Sequence, residues 1–136
     1  MLSTPYQRLG GEPAIRQLVS RFYGLMDELP EAYAARKIHP QDLALSGEKF
    51  VMYLSGWLGG PQLYVQKFGH PMLRRRHHPF AIGAQERDEW LMCMRMAMEE
   101  TITDVELREL IYQAMESLAQ HMVNQGEDAH ACPRAA

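Results

Sequence analysis

Cysteine is scarce, with two residues in a chain of 136. Two cysteines cannot build the disulfide framework of a small secreted domain. Cys93 falls in an apolar helical pattern and Cys132 in a polar tail, so no bridge between them is expected, and a reducing cytoplasm is the expected compartment. Long apolar runs are missing as well. Nothing approaches the ~20 residues needed to cross a bilayer, and no secretory leader is read before the first turn, so no membrane association is expected. Neither charge sign dominates: 14 Lys and Arg stand against 17 Asp and Glu, for a net charge of −3 and a pI near 6.1. That balance excludes bulk attraction to nucleic acid. The one dense basic run, Arg74-Arg75-Arg76, is too short for a nucleic-acid arm and suits a local anionic group. Phosphate-cradling loops are absent, because Gly10-Gly11 and Gly59-Gly60 lack the strand-then-helix context that would give them that role. There is no Ser-His-Asp signature and no carboxylate–histidine helix motif, so catalysis by protein groups alone has little support.

What the chain does contain is apolar residues at helical spacing. Hydrophobic residues make up 46% of it, enough for one core, and the length fits one domain. Pro5 to Gly10-Gly11 reads as a short helical turn closed by a glycine hinge. Pro13 is expected to open a long helix with the stripe Ile15, Leu18, Val19, Phe22, Met26 and Leu29. Tyr23 lies at the edge of that stripe, where a hydroxyl reaches a backbone carbonyl, solvent or a cavity. Residues 31–43 read as irregular apart from one helical turn at 31–37. A helix from about Ala44 to Leu58 shares one face among Ser46, Phe50, Tyr53, Leu54 and Trp57 and stops at Gly59-Gly60-Pro61. Residues 62–70 read as a linking segment. A short helix then runs from Pro71 to about His77, bounded by Pro79. The next helix is expected from Gln85 past Met98, with Trp90, Met94, Ala97 and Met98 at the buried spacing. Thr103-Asp104-Val105-Glu106 reads as a capping box for a last helix with the stripe Leu107, Leu110, Ile111, Ala114, Leu118 and Met122. The domain is expected to span 1–125, and residues 126–136 to form a disordered polar tail. The class is all-α. Packing angle separates a bundle from a globin-like sandwich, and spacing does not give that angle.

The histidines offer the clearest candidate site. Leu73 and His77 share a face of the short helix, while Arg74, Arg75 and Arg76 fan over the others. Taken alone, His77 reads as a capping histidine beside a solvated basic cluster. A zinc site needs three or four converging ligands. His70, His77 and His78 point to different faces, and Cys93 is better read as core. A haem site needs less: one axial histidine, an apolar slot, and cations for two propionates. His77 is the candidate ligand, with Leu73, Phe80 and Phe50 for the slot. Arg74, Arg76 and Lys49 are the cations, and Tyr23, His39 and Trp90 are polar groups for the opposite side. Periodicity does not separate this arrangement from ordinary core packing.

The order and spacing of several short motifs resemble those of the truncated haemoglobins, group II. They are Tyr6 to Gly10-Gly11, Ser20-Arg21-Phe22-Tyr23, Gly59-Gly60-Pro61, Gly69-His70-Pro71, Arg76-His77 with Pro79-Phe80, and Glu86-Arg87-Asp88 followed by Trp90, Cys93 and Met94. The resemblance covers roughly residues 5–124. It implies a shortened globin fold, two helices over two, around one b-type haem with its iron. It assigns His77 as the proximal iron ligand, with His78 at a variable neighbouring position. Tyr23 becomes the distal tyrosine and Trp90 the distal tryptophan of group II. Ser46 and Phe50 are the haem-facing positions of the distal helix, with Tyr53 and Leu54 one turn on, and Met94 joins the lining. Lys49 and Arg76 are propionate partners. The chain departs from the family at His39, where tyrosine or phenylalanine is common, and one residue is missing just after it. This histidine is expected to hydrogen-bond ligand, water or Tyr23, or to approach the iron as a second axial ligand. Phe50 is bulky for its position and narrows the distal side.

The function implied is reversible binding of O2, CO and NO, with Tyr23 O–H and Trp90 N–H donating to the ligand. The rival is a haem enzyme for peroxide reduction or NO dioxygenation, which would need a reductase partner and steady turnover. A haem-free helical interaction module is a third reading. The oligomeric state is left at monomer or homodimer.

Overall fold

The computed structural model describes residues 4–69 and 83–121, and every regular element among them is helical. Helix α1 (Pro5–Leu9) begins with a reciprocal cap. The Thr4 hydroxyl accepts the Gln7 N–H at 3.1 Å, and the Gln7 side-chain oxygen accepts the Thr4 N–H at 3.2 Å. Gly10, in the left-handed region at φ 119°, ends it. Helix α2 (Gly11–Glu28) starts two residues earlier than Pro13 suggests. The proline sits in the first turn, where a missing N–H costs nothing. The buried stripe is Ile15, Leu18, Val19, Phe22, Leu25 and Met26, while Leu29 is only half-buried.

A 3-10 turn (Pro30–Ala32) leads into α3 (Tyr33–Lys37), the one helical turn expected there. Helix α4 (Ala44–Trp57) differs from expectation in which side is buried. Val51, Leu54, Ser55 and Leu58 face the core, whereas Ser46, Phe50, Tyr53 and Trp57 are half-buried on a second apolar face. Residues 63–68 are a helix too, α5 (Leu63–Phe68), where the sequence suggests only a linker. Tyr64 and Phe68, one turn apart, pack at a tilt with ring centroids 5.0 Å apart, and Tyr64 meets the Tyr53 ring of α4 edge-on at 6.2 Å. Packing, rather than propensity, sustains so short a helix.

Helix α6 (Ala84–Thr101) follows Gly83, whose N–H is accepted by the Glu86 carboxylate at 2.8 Å. Helix α7 (Val105–His121) is capped one residue later than the sequence box suggests: the Asp104 carboxylate accepts the Leu107 N–H at 3.1 Å. Its buried stripe is also narrower. Leu107, Ile111, Met115 and Ala119 are buried, Leu118 is half-buried, Ala114 is exposed and Leu110 is 56% exposed. Among the described residues this helix packs chiefly on α6, with a smaller contact to α1, and the row at i, i+4 is the one that finds cover. Met122 and residues 126–136 lie outside the described residues.

Helix α2 packs on both α6 and α4, and α7 packs on α6. Two pairs, α2–α4 and α6–α7, therefore meet through α2 and α6. Their shared core holds Phe22, Met26, Leu54, Met94, Met98 and Met115, all essentially fully buried. Each such side chain contributes on the order of 1.5–3 kcal/mol. The glycine pair after α4 lets α1 dock on the end of that helix. Tyr6 N–H donates to the Leu58 carbonyl at 2.9 Å, Gly59 sits at φ 95°, and a Cβ on Gly60 would run into the Tyr6 ring.

Candidate functional site

Four elements bring rings together at one place. Helix α2 supplies Phe22 from its core stripe and Tyr23 from the next position, 4.8 Å apart between ring centroids. Phe50 of α4 stands 5.8 Å from Phe22 and 6.3 Å from Tyr23. Trp90 of α6 meets Phe22 edge-on at 5.1 Å and Phe50 at 6.1 Å. His39, in the loop after α3, presents its ring edge-on to Tyr23 at 5.9 Å. Of the distal candidates read from the sequence, Tyr23, His39, Phe50 and Trp90 are thus in one cluster. Ser46, half-buried, lies one turn before Phe50 on α4. Between them Gly47 faces the Tyr23 ring, which lies 3.9 Å from where a Cβ would be, an ordinary contact distance.

The electrostatics follow from burial. Loss of water around the Tyr23 hydroxyl pushes its ionisation well above the ordinary tyrosine range, so it keeps its proton even into the alkaline range. His39 Nδ1 lies 2.7 Å from the Ala35 carbonyl oxygen. A carbonyl only accepts, so that nitrogen carries the hydrogen.

A second ring group flanks the first on α4 and α5. Tyr53 stacks on Trp57 at 6.5 Å and meets Tyr64, and burial raises the Tyr53 hydroxyl. Lys49 and Lys67 hold their ammonium groups 5.3 Å and 5.6 Å from the Phe68 ring centre. Leu54 and Met94 are fully buried in the core. His77, Arg76, Leu73 and Phe80, with His70, Arg74, Arg75 and His78, lie outside the described residues. Cys93 is a buried free thiol pushed up to about 11, by burial first and then by the charge of Glu89. It packs as core, and no metal-binding cluster of His, Cys, Asp and Glu exists among the described residues.

Sequence reasoning passes over Glu89, Gln85 and Arg36. Glu89 accepts the Ala35 N–H, and Arg36 reaches two loop carbonyls beside His39. Glu89 and Arg36 find partners in other elements or on the backbone, which spacing does not disclose, and Gln85 matters only through Glu89, one turn on in the same helix. The one visible signal is a carboxylate at position 89, directly before the half-buried Trp90.

Two helices paired on two, meeting at a ring cluster that holds a protonated phenol and an indole, define a globin shortened to its central helices. The bacterial-like globin family model matches residues 4–124, and the chain belongs to that family, within its truncated group II branch. It is 41% identical over 125 residues to a group 2 truncated hemoglobin of Bacillus subtilis, covering 92% of each chain. Among solved structures it resembles the group II 2-on-2 hemoglobin of Agrobacterium tumefaciens, at 56% identity and a TM-score of 0.90, covering 92% of this chain and 97% of that one. It also resembles the cold-adapted truncated hemoglobin of Pseudoalteromonas haloplanktis, at 43% identity and 0.89, covering 91% and 100%. The truncated oxygen-avid haemoglobin of Bacillus subtilis matches at 40% identity and 0.82, covering 90% and 100%.

Membership implies a haem iron, and the described residues fit one. Phe50, Tyr53 and Trp57 form an apolar face of α4 that the protein core leaves half-covered. Beside it, next to Phe50, stand a desolvated hydroxyl and an indole, the donor types a polar diatomic ligand needs.

Proposed function

We propose that this protein reversibly binds O2, and also CO and NO, at a b-type haem, with Tyr23 and Trp90 as distal hydrogen-bond donors. When held, the haem supplies a ferrous iron that takes diatomic ligands. In this reading His77 holds the iron, Leu73, Phe80, Phe50, Tyr53, Leu54 and Met94 line the slot, and Lys49 and Arg76 face the propionates. The cytoplasm is the compartment, and a reductase partner belongs to the rival reading as a haem enzyme.

The observation that carries the proposal is the meeting of Tyr23, Phe50 and Trp90 around Phe22. Bound O2 draws electron density and carries partial negative charge. A phenol and an indole can only lower the energy of such a ligand by donating to it. Phe50 excludes water that would compete for those donors. A hydrogen bond to a charged group contributes about 1.5–3 kcal/mol, which is roughly tenfold or more in release rate. Stopped-flow O2 release from the Tyr23→Phe and Trp90→Leu variants tests this. Each is expected to release O2 faster than the parent by about that factor. Release as slow as the parent's in both variants would rule the donors out.

A further inference from the structure

Helix α3 has five residues and no side-chain cap from its own sequence. The start of any helix leaves N–H groups in need of acceptors. Here one acceptor comes from a different helix: Glu89 Oε1 of α6 takes the Ala35 N–H at 2.9 Å. Gln85 Nε2 donates to the other carboxylate oxygen, Oε2, at 3.0 Å and steadies it. Ala35 is fully buried, and its carbonyl accepts the Nδ1–H of His39 at 2.7 Å. Both polar backbone groups of Ala35 therefore lie on one hydrogen-bonded route from α6 to the distal imidazole. The loop beyond is clamped by Arg36. Its Nη1 donates to the Pro40 carbonyl at 2.9 Å, its Nη2 to the Gln41 carbonyl at 2.7 Å, and its Nε to Asp27 at 2.9 Å.

We propose that Glu89 is a positioning residue of the distal pocket: through Ala35 it fixes His39 with its hydrogen on Nδ1 and its lone pair on Nε2. The distal histidine is then an acceptor, and donation to a ligand falls to Tyr23 and Trp90. The functional consequence rests on the ligand site proposed above, whereas the geometry of the relay does not. A neutral imidazole carries one N–H, and the bond made by one ring nitrogen sets the character of the other. Remove the Glu89 carboxylate and a buried N–H loses its acceptor, which loosens the first turn of α3. The Ala35 carbonyl then no longer selects Nδ1–H.

The test reads the tautomer directly. Uniformly 15N-labelled, haem-loaded, CO-bound ferrous protein is diamagnetic, and a long-range 1H–15N correlation separates the two neutral ring forms. It is recorded at about pH 8.5, roughly two units above the ordinary histidine value. Loss of one ring's signals in His39→Gln assigns His39. The parent should show the Nδ1–H pattern. Glu89→Gln keeps an oxygen for the Ala35 N–H and should preserve that pattern, whereas Glu89→Ala should give a mixture. An Nε2–H pattern in the parent overturns the proposal even if Glu89→Ala fails to fold. An unchanged pattern in folded Glu89→Ala overturns it as well. Unaltered O2 release in Tyr23→Phe and Trp90→Leu would instead overturn the ligand-site reading and leave the tautomer result standing.

Discussion

Tyr23 shows how burial of one side chain becomes a property of the whole chain. Its folded-state ionisation is raised by desolvation. Above the ordinary value near 10, an unfolded chain gives up a proton that the folded one keeps, so stability falls as pH rises from there. Cys93 acts with the same sign from its ordinary 9.0 upward to about 11. Denaturant midpoints measured across the alkaline range should decline, and the Tyr23→Phe variant should decline less steeply above about pH 10. The buried Cys93 thiol should resist a thiol reagent in the native protein and react after unfolding. At this scale the site was partly legible. Tyr23, Phe50 and Trp90 stand out through their resemblance to family motifs, since helical spacing treats them as any core aromatic. Glu89 was not legible, because the backbone group it serves is 54 residues away. The tautomer of His39 was not legible either, since it depends on a carbonyl.

The existence of the long helices followed from period, but the short α5 read only as a linker, and helix orientation did not follow. The stripe of α2 reads almost unchanged from sequence to structure because α2 is covered on two sides, by α4 and α6. The stripe of α7 does not, because among the described residues that helix packs chiefly on α6. The corrected register has a direct check. Ile111→Ala should cost about 2–5 kcal/mol as a buried truncation. Leu110→Ala, on the exposed row, should stay within about 0.5 kcal/mol. Equal losses in the two variants would contradict the register. The end of α4 is as demanding. Gly60→Ala forces a Cβ into the Tyr6 ring and should cost about 1–3 kcal/mol, seen as a lower melting temperature. Helix α4 itself was hard to read because both of its apolar faces are used, one on the core and one toward the pocket.

Taken as a whole molecule, the chain is held by its core and only trimmed by charge. Arg16 bridges Glu12 and Glu48, tying α2 to α4, Arg21 reaches Glu100 on α6, and Arg87 of α6 donates to Gln120 of α7. These ion pairs lie at the surface, where water screens the attraction and holding two long side chains costs entropy, so they contribute little. The all-α class was legible from composition and period. The two-over-two arrangement needed the resemblance, because packing angle is set by side-chain ridges that spacing alone does not rank. Binding of haem through His77 is the central claim, and absorption spectra of purified parent and His77→Ala protein, in ferric, ferrous and CO-bound forms, test it most directly. The parent should retain haem with a histidine-ligated spectrum, and the variant, with its helical content intact, should lose both. Tight haem retention with an unchanged histidine-ligated spectrum in the variant would contradict the claim.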